Sequence, residues 1–379
     1  MINKSLNKLK QYIEENSYKG YDPYDALKSP FFKLPILRSN KFFRFGTQQL
    51  AKRLPFNIRP LLLVPKGYNP VTLGLSIQAY AYLFQAEPEN RKEHLQKIDF
   101  IIEELKTLIP KGFSGACWGY DFDWEARNAN IPSYQPTVVA TGIITNALFI
   151  AHQITKHKEA AHLVESAAEF VVKDLQRTYQ GESFCFSYSP FDKQQVFNAS
   201  MKGVRLLSQA YALNNKDEYK GLAKQATSFV VSYQKEDGSL AYSLAKSGGW
   251  VDNYHTGYVL DCLHEYQNLT GDQEYAENLE KAYIYYENHF FDKKGFPYFY
   301  NNKKYPLDCT AASQSILTLI RFNNLPLANQ VALTAIAKMQ KANGSFRFRK
   351  FKNYTISTSF MRWSDAWMFA ALAYLKNSL

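Results

Sequence analysis

Three side chains that can transfer protons lie within four positions in residues 248–267, which read GGWVDNYHTGYVLDCLHEYQ. They are Asp252, Tyr254 and His255, and an apolar pattern of helical spacing follows them directly. A histidine beside a carboxylate can act as a general base near neutral pH, and a tyrosine can donate a proton or stabilise an oxyanion. We therefore predict all three as catalytic residues. As an alternative, Asp252 serves only as a helix N-cap, which contributes about 1 kcal/mol.

A second polar cluster, YDFDWEARN at residues 120–128, supplies two carboxylates, Asp121 and Asp123, which we also predict as catalytic. Paired carboxylates serve glycoside chemistry, and the pair usually comes from separate segments, such as Asp121 with Asp252 or Asp123 with Asp365. Tryptophan rings can stack on sugars, and arginines can grip a carboxylate or phosphate. The predicted substrate-binding residues are Trp124, Arg127, Asn128, Trp250, Asn253, Asp308, Arg362, Trp363 and Asp365.

The sequence predicts no metal and no cofactor. Asp308 and Cys309 with His255 differ from the Asp/Cys/His zinc set of protein prenyltransferase β-subunits, because that set needs a residue between the Asp and the Cys. The chain also lacks the adjacent Cys-His pair of zinc-dependent peptide cyclases and the DxDD motif of hopene-type cyclases.

The charge balance favours acidic partners. The chain has 45 Lys and Arg against 34 Asp and Glu, so its formal net charge is +11. Anionic lipid, an acidic polysaccharide or a nucleic acid would match this charge. Because RNP, zinc-finger and P-loop patterns are missing, we expect no nucleic-acid partner. Four scattered cysteines and an N-terminus without the apolar segment of a signal peptide predict a cytoplasmic protein.

An internal repeat predicts the architecture. Five segments pair a glycine with aromatic residues after a helical pattern: GACWGYDFDW, GESFCFSY, GSLAYSL, GFPYFY and GSFRFRK, starting at Gly115, Gly181, Gly238, Gly295 and Gly344. Five helical hairpins are predicted at 71–109, 137–178, 195–234, 253–291 and 308–340. One unpaired helix at each terminus would complete a sixth pair. We therefore predict an all-α (α/α)6 toroid in a single domain over 1–379, with a generic α-solenoid as the alternative.

The toroid explains why the polar residues recur at one structural level. First helices of the hairpins are rich in small residues, which suits an inner ring, and second helices carry more charge, which suits an outer ring. The loops before the inner helices would then form one rim. Helix N-termini at this rim favour anionic ligands. Asn198 and Trp367 belong to the same level of the repeat.

Residues 28–70 fall outside the repeat and are basic, aromatic and broken by prolines. We interpret them as an extended arm packed across one face of the toroid. The arm would cover hydrophobic surface; alternatively, it would form a basic lip beside a cleft or contact anionic membrane lipid or polysaccharide assembly proteins. The protein would then be peripheral to the inner face of the membrane.

Four stretches carry a resemblance to known proteins: GYDPYDAL, RPLLLVPKGYNP, WGYDFDWEARNANIPSYQPTVVAT and GGWVDNYHTGYVLDCLHEYQNLTGD. The chain resembles bacterial proteins encoded in capsule and exopolysaccharide clusters. Its barrel is similar to six-hairpin glycosidases, N-acylglucosamine 2-epimerases and the helical part of uronyl C5-epimerases. The resemblance implies a polysaccharide context, and it assigns no catalytic residue.

The leading functional hypothesis is a carbohydrate-active enzyme that acts on an anionic or lipid-linked glycan by acid/base chemistry: epimerisation, β-elimination or hydrolysis. The first alternative is a non-catalytic glycan-binding or scaffold protein of a polysaccharide assembly system. The second is a toroid of the terpenoid-cyclase or prenyltransferase type, which would enclose a deep apolar cavity.

Overall fold

The computed structural model describes residues 1–125 and 130–379. Within these ranges the α-helices are α1 (Ile2–Glu15), α2 (Pro35–Ser39), α3 (Lys41–Arg53), α4 (Pro70–Ala86), α5 (Arg91–Thr107), α6 (Val138–Thr155), α7 (Lys158–Lys173), α8 (Phe197–Asn214), α9 (Asp217–Val231), α10 (Asn253–Thr270), α11 (Ala276–Phe290), α12 (Cys309–Arg321), α13 (Leu325–Met339) and α14 (Trp367–Ser378). A π-helical turn, Met361–Ala366, leads into α14.

Six helices form a closed inner ring. Helices α4, α6, α8, α10, α12 and α14 each pack on the next, and α14 packs on both α12 and α4. The outer ring contains α5, α7, α9, α11, α13 and α1, and α1 packs against α13 and α14. The two terminal helices therefore complete the sixth pair, and the predicted (α/α)6 toroid is confirmed.

The inner helices are apolar because they are enclosed on all sides. Residues 70–83 of α4 are all buried. In the described part of the chain, α6 is the one helix long and apolar enough to cross a membrane, and 72% of that stretch is buried inside the ring. Its composition therefore reflects its place in the core of the toroid.

The repeated glycines join neighbouring hairpins. A Cβ atom on Gly115 would lie 1.9 Å from the Ser166 carbonyl oxygen of α7, and one on Gly238 would lie 2.3 Å from the Lys281 carbonyl oxygen of α11. A Cβ atom on Gly344 would lie 2.2 Å from a carbonyl oxygen of α1. Since any side chain would collide with backbone there, the glycine in each of these turns allows the next outer helix to approach.

Short antiparallel strands lie in the turns and loops. They are β1 (Trp124–Glu125) with β2 (Asn130–Ile131), β3 (Arg177–Gln180) with β4 (Ser183–Phe186), and a sheet of order β5-β6-β7 formed by Leu307–Asp308, Arg349–Lys350 and Thr355–Ile356. The first pair lies between the first aromatic turn and α6, so it belongs to the rim where inner helices begin.

The segment 28–70 is less extended than the sequence suggested, because α2 and α3 form within it. A buried ion pair holds it to the preceding 3-10 helix, and a partly exposed one holds it to the loop before α6. Arg59, which is fully buried, donates to Asp25 at 2.5 Å, and Lys28 contacts Asp121 at 2.8 Å. Helix α3 begins at a capping residue: the Asn40 side chain accepts hydrogen bonds from two backbone N–H groups of α3.

Candidate active site

A cavity of about 210 Å³ lies at the end of the toroid where the inner helices begin. Its wall is mainly aromatic, which supplies apolar faces and a few polar edges. The lining residues are Tyr24, Tyr120, Phe122, Trp124, Val139, Ile143, Tyr188, Asn198, Tyr242, Trp250, Tyr254, His255, Tyr258, Arg362, Trp363 and Trp367.

Asp252 and His255 form a hydrogen-bonded pair at the start of α10. The Asp252 carboxylate accepts the backbone N–H of His255 at 2.9 Å, so it is the N-cap of the helix. The same carboxylate lies 2.9 Å and 3.0 Å from the His255 Nδ1 atom. This contact favours a proton on Nδ1 and leaves Nε2 as the nitrogen that can accept one. The two interpretations of Asp252, as a cap and as a partner of His255, therefore describe one arrangement.

Aromatic rings surround His255 and limit its contact with water. The ring centroids of Tyr254, Tyr242, Trp250 and Tyr258 lie 4.1, 4.7, 5.4 and 5.9 Å from that of His255. Only 17% of the His255 side chain is exposed. A base in such an enclosed site is shielded from bulk solvent, and its reaction with a bound ligand is favoured.

The hydroxyl group of Tyr254 stays protonated. Burial, followed by the negative charge of Asp252, raises the pKa of Tyr254 well above that of a free tyrosine. Tyr254 can therefore donate a hydrogen bond to a ligand.

Tyr24 has the opposite electrostatic environment. It lines the cavity from the position just before the 3-10 helix Asp25–Lys28, and the Lys52 ammonium group of α3 donates to its hydroxyl. Burial alone would raise the pKa of Tyr24, but the charge and hydrogen bond of Lys52, together with the charges of Arg349 and Arg362, outweigh it and lower the pKa. A tyrosine of this kind can exchange a proton more readily than the other tyrosines of the cavity.

The positive charge of Arg362 is balanced within the protein. Its guanidinium group contacts both oxygens of Asp22, at 2.6 Å and 2.9 Å, and it lies 4.7 Å from the Tyr120 ring centroid. Burial opposes ionisation, but Asp22 raises the pKa of Arg362, so the pair stays charged. The predicted role of Arg362 in gripping a ligand carboxylate would require this bidentate pair to open.

Two donors in the cavity wall lack a protein acceptor. The Asn198 Nδ2 and Trp363 Nε1 atoms are buried, and neither has a hydrogen-bond partner within residues 1–125 and 130–379. Since an unpaired buried donor is costly, such groups are candidates for bonding to a ligand.

The floor of the cavity rests on a buried lysine. The Lys202 Nζ atom of α8 lies 3.7 Å from the ring centroid of Tyr258, and the residue is 1% exposed. Burial, followed by the nearby charge of Arg205, lowers the pKa of Lys202 to about 7. Lys202 was not predicted from the sequence, because a single lysine in a helical pattern carries no signal of burial.

The structure places the predicted catalytic carboxylates of YDFDWEARN against the arm, outside the cavity wall. Asp121 is bound by Lys28 at 2.8 Å and by the Asn69 side chain at 2.7 Å. Asp123 lies 3.6 Å from Arg44 and is partly exposed. Both side chains face basic or amide groups of residues 28–70, so their arrangement holds the arm in place.

Three further predicted binding residues point into the protein. The Asn253 side chain accepts hydrogen bonds from two buried hydroxyls. Asp308 caps α12 and pairs with Arg349 at 2.5 Å, and Asp365 accepts the Phe346 N–H at 2.7 Å. Burial raises the pKa of Asp365 to about 7. A capping carboxylate turns back onto its own helix, which explains why Asp308 misses the cavity whereas the neighbouring rings reach it.

Trp124, Trp250 and Trp363 line the cavity, and their role in substrate binding stays a prediction. The predicted binding residues Arg127 and Asn128 lie outside the residues that the structure describes. Within the described ranges, no three His, Cys, Asp or Glu side chains come together as a possible metal site.

Several tyrosines of the cavity wall were not predicted as site residues. Tyr120, Tyr188 and Tyr242 are the last tyrosines of the first three aromatic turns, and all three line the cavity. The repeat gives only a weak signal for them, because they follow the turn glycines Gly115, Gly181 and Gly238 at different distances. Tyr24 lies in GYDPYDAL, a stretch that carries the resemblance to capsule-cluster proteins but contains no predicted site residue.

Comparison with known proteins shows the fold. No family model matches the sequence, and no curated protein matches it significantly. Among solved structures, the cellobiose 2-epimerase from Bacillus thermoamylovorans has a TM-score of 0.61 at 12% identity, with 81% of this chain and 87% of that chain covered. A sugar epimerase from a ruminal bacterium has a TM-score of 0.63 at 11% identity, with 82% of this chain and 89% of that chain covered. A family 76 glycoside hydrolase, an α-mannanase from Bacteroides thetaiotaomicron, has a TM-score of 0.58 at 13% identity, with 81% of this chain and 85% of that chain covered. At these identities the likeness is one of fold.

Proposed function

We propose that this protein is an enzyme that removes and returns a carbon-bound proton of a saccharide, as in sugar epimerisation. The observation that carries the proposal is the Asp252–His255 pair inside an aromatic cavity. Its carboxylate orients a histidine whose Nε2 atom can act as the base. Two of the solved structures with this fold are described as epimerases, which supports the same class of chemistry.

Hydrolysis by paired carboxylates is less compatible with the cavity. Glycosidases of that class use two carboxyl groups that flank the scissile bond. No carboxylate is among the described residues that line this cavity, and residues 126–129 contain no Asp or Glu. The histidine is therefore the better candidate for the proton-transfer group.

An epimerase needs acid/base groups on two faces of the reacting carbon, and we propose His255 and Tyr24 for these roles. His255 would take the proton next to the carbonyl of an open-chain reducing sugar. Tyr24, with its pKa lowered by Lys52, would deliver a proton to the other face. Tyr254, Asn198 and Trp363 offer hydrogen bonds to the oxyanion of the intermediate enediolate.

The substrate group that enters the cavity would be one uncharged sugar unit, about the size of a single ring. The charge of Arg362 is already balanced by Asp22, and aromatic faces suit the apolar faces of a sugar. Ligand cavities typically measure roughly 300–1,000 Å³. This cavity, at about 210 Å³, fits a ring-sized group better than the long chain that a terpenoid-cyclase type of toroid would take.

We place this reaction in the biosynthesis or modification of capsule or exopolysaccharide, at the inner face of the membrane, on the strength of the sequence resemblance and the basic arm. A second candidate function is saccharide binding without catalysis. The stacked rings of Tyr242 and Trp250, 4.4 Å apart, favour it because they form a flat apolar face at the rim.

Proton exchange with solvent tests the proposal. Reducing mono- and disaccharides, cellobiose among them, are incubated with the protein in D₂O, and proton NMR follows the hydrogen next to the carbonyl carbon. We expect deuterium to replace this hydrogen and the epimer to appear. His255→Gln should abolish both. Tyr24→Phe should abolish interconversion while one epimer still exchanges its proton with His255.

His289→Gln is the matched control, since His289 lies on the outer helix α11 and stacks on Tyr285. It should leave the exchange rate unchanged. Exchange at the wild-type rate in the His255→Gln protein would refute the assignment of the base. Binding of a sugar without exchange would favour the non-catalytic alternative.

A further inference from the structure

The arm exposes large apolar side chains that a water-soluble surface would normally bury. Phe42 is 88% exposed, Ile36 is 78% exposed, and Leu34 and Leu50 are each 55% exposed. Single exposed apolar residues are common, but this cluster lies within residues 34–50. Concentrated exposure of this kind usually marks a contact surface.

Helix α3 is amphipathic in the reverse of the usual sense. Its buried residues are Arg44, Gln48 and Ala51, whereas Phe42 and Leu50, eight residues apart and therefore on one face, are exposed. Arg44 donates to Glu125 at 3.0 Å, and Gln48 donates to two backbone carbonyl oxygens of the rim. The polar side of the helix is thus used within the protein, and its apolar side faces outward.

The arm also holds most of the excess positive charge. Residues 28–70 contain nine Lys and Arg and no Asp or Glu, which leaves 36 basic and 34 acidic residues in the remainder of the chain. Lys28, Arg44, Lys52 and Arg59 bind partners inside the protein. Others, including Lys33, Arg38 and Arg53, are exposed.

We propose that this surface docks on the anionic headgroups of a lipid bilayer. The arm surface is defined by Lys33, Leu34, Ile36, Arg38, Phe42 and Leu50. Apolar side chains interleaved with basic ones, in a helical segment without acids, match the interface of an anionic membrane: the apolar groups enter the acyl boundary, and the cations bind the headgroups.

The arm surface lies beside the mouth of the cavity. The inward face of α3 binds the backbone of Tyr24 and of Asp123, next to Trp124, and both Tyr24 and Trp124 line the cavity. Docking would therefore bring the cavity close to the bilayer.

Vesicle flotation tests the docking. The full chain is mixed with vesicles of phosphatidylcholine alone or of equal parts of phosphatidylcholine and phosphatidylglycerol. We expect binding to the anionic vesicles that weakens as salt is added. Ile36→Ser with Phe42→Ser should lower the partition coefficient about tenfold or more. Lys33→Gln with Arg38→Gln should lower it about 25-fold, because each cation near an anionic surface contributes about fivefold.

Phe100→Ser with Ile284→Ser is the matched control, since both side chains are exposed on outer helices away from the arm. It should bind like the wild type, and far-UV circular dichroism should show that every variant is folded. Failure of the wild type to bind anionic vesicles, or equal binding by the arm variants, would overturn the proposal. So would a wild-type dimer that the arm variants convert to monomers without any vesicle binding.

Discussion

At the scale of single residues, Asp252 combines two contacts that are usually separate. One oxygen caps α10 and the carboxylate also holds the His255 Nδ1 atom, all within 3.0 Å. Capping alone would be satisfied by Asn or Ser, which are good N-caps. Only a carboxylate also fixes the proton on Nδ1, so the two roles can be separated by substitution.

Asp252→Asn should retain the N-cap hydrogen bond of α10 and disable proton transfer by His255. We expect the free energy of unfolding to change by less than about 0.5 kcal/mol, whereas Asp252→Ala should cost about 1 kcal/mol. The amide can donate to Nδ1, which moves the histidine proton to Nε2 and disables the base. The solvent-exchange rate of the sugar should fall about 100-fold or more. Denaturant unfolding and the NMR exchange assay measure the two effects; an unchanged exchange rate would leave Asp252 as a cap alone.

The residue types at the rim could be predicted from the sequence, but the orientations of their side chains could not. Asp252, His255, Trp250 and Trp363 were identified because they stand where inner helices begin. Asp308 stands at an equivalent position, yet its side chain pairs with Arg349. Which side of a helix start faces the ring axis depends on how neighbouring hairpins pack, and a sequence pattern of one hairpin does not contain that information.

At the scale of elements, the aromatic turns are joints between hairpins. Gly181 and Gly238 occupy equivalent turns, and both have positive φ, 59° and 87°. They differ in their surroundings, because a Cβ atom on Gly238 would lie 2.3 Å from a backbone oxygen of α11, whereas one on Gly181 would meet nothing within 4 Å. The pair therefore separates backbone conformation from close packing.

Gly238→Ala should be much more destabilising than Gly181→Ala. The left-handed conformation costs an alanine about 1 kcal/mol at either position. Gly238→Ala should lose a further 1–3 kcal/mol or so, since α11 must move away. Thermal unfolding of the two variants measures the difference. Equal losses would mean that the turns do not fix the spacing of the hairpins.

Helical hairpins were predicted well and the arm was not, for one physical reason. Hairpins such as α6–α7 bury their apolar residues, so the helical spacing of those residues in the sequence marks both the helix and its buried face. In α3 the apolar residues face outward and Arg44 and Gln48 face inward, so the same rules gave no helix there.

At the scale of the whole molecule, the ring closes through contacts between the two ends of the chain. Leu9 of α1 is completely buried, and α1 packs on α13 and α14. The single-domain interpretation of residues 1–379 remains a prediction. If it holds, loss of one closing contact must weaken the ring as a unit.

Leu9→Ala should lower the free energy of the whole unfolding transition by about 2–5 kcal/mol, the usual cost of a cavity at a buried leucine. Calorimetry should show one transition, with equal calorimetric and van't Hoff enthalpies. Leu61→Ala, at an exposed position in the arm, is the control and should change stability by less than about 0.5 kcal/mol. A separate early transition in the Leu9→Ala protein would show that α1 unfolds independently.

The placement of the tryptophans gives the protein a built-in optical reporter. Of the five in the chain, Trp124, Trp250, Trp363 and Trp367 line the cavity, and Trp118 is buried with its indole N–H bound to the Leu105 carbonyl oxygen. Most of the intrinsic fluorescence therefore originates at the cavity wall. A sugar that displaces water from these rings will change emission intensity and wavelength without any label, so ligands can be screened on the unmodified chain before any product is known.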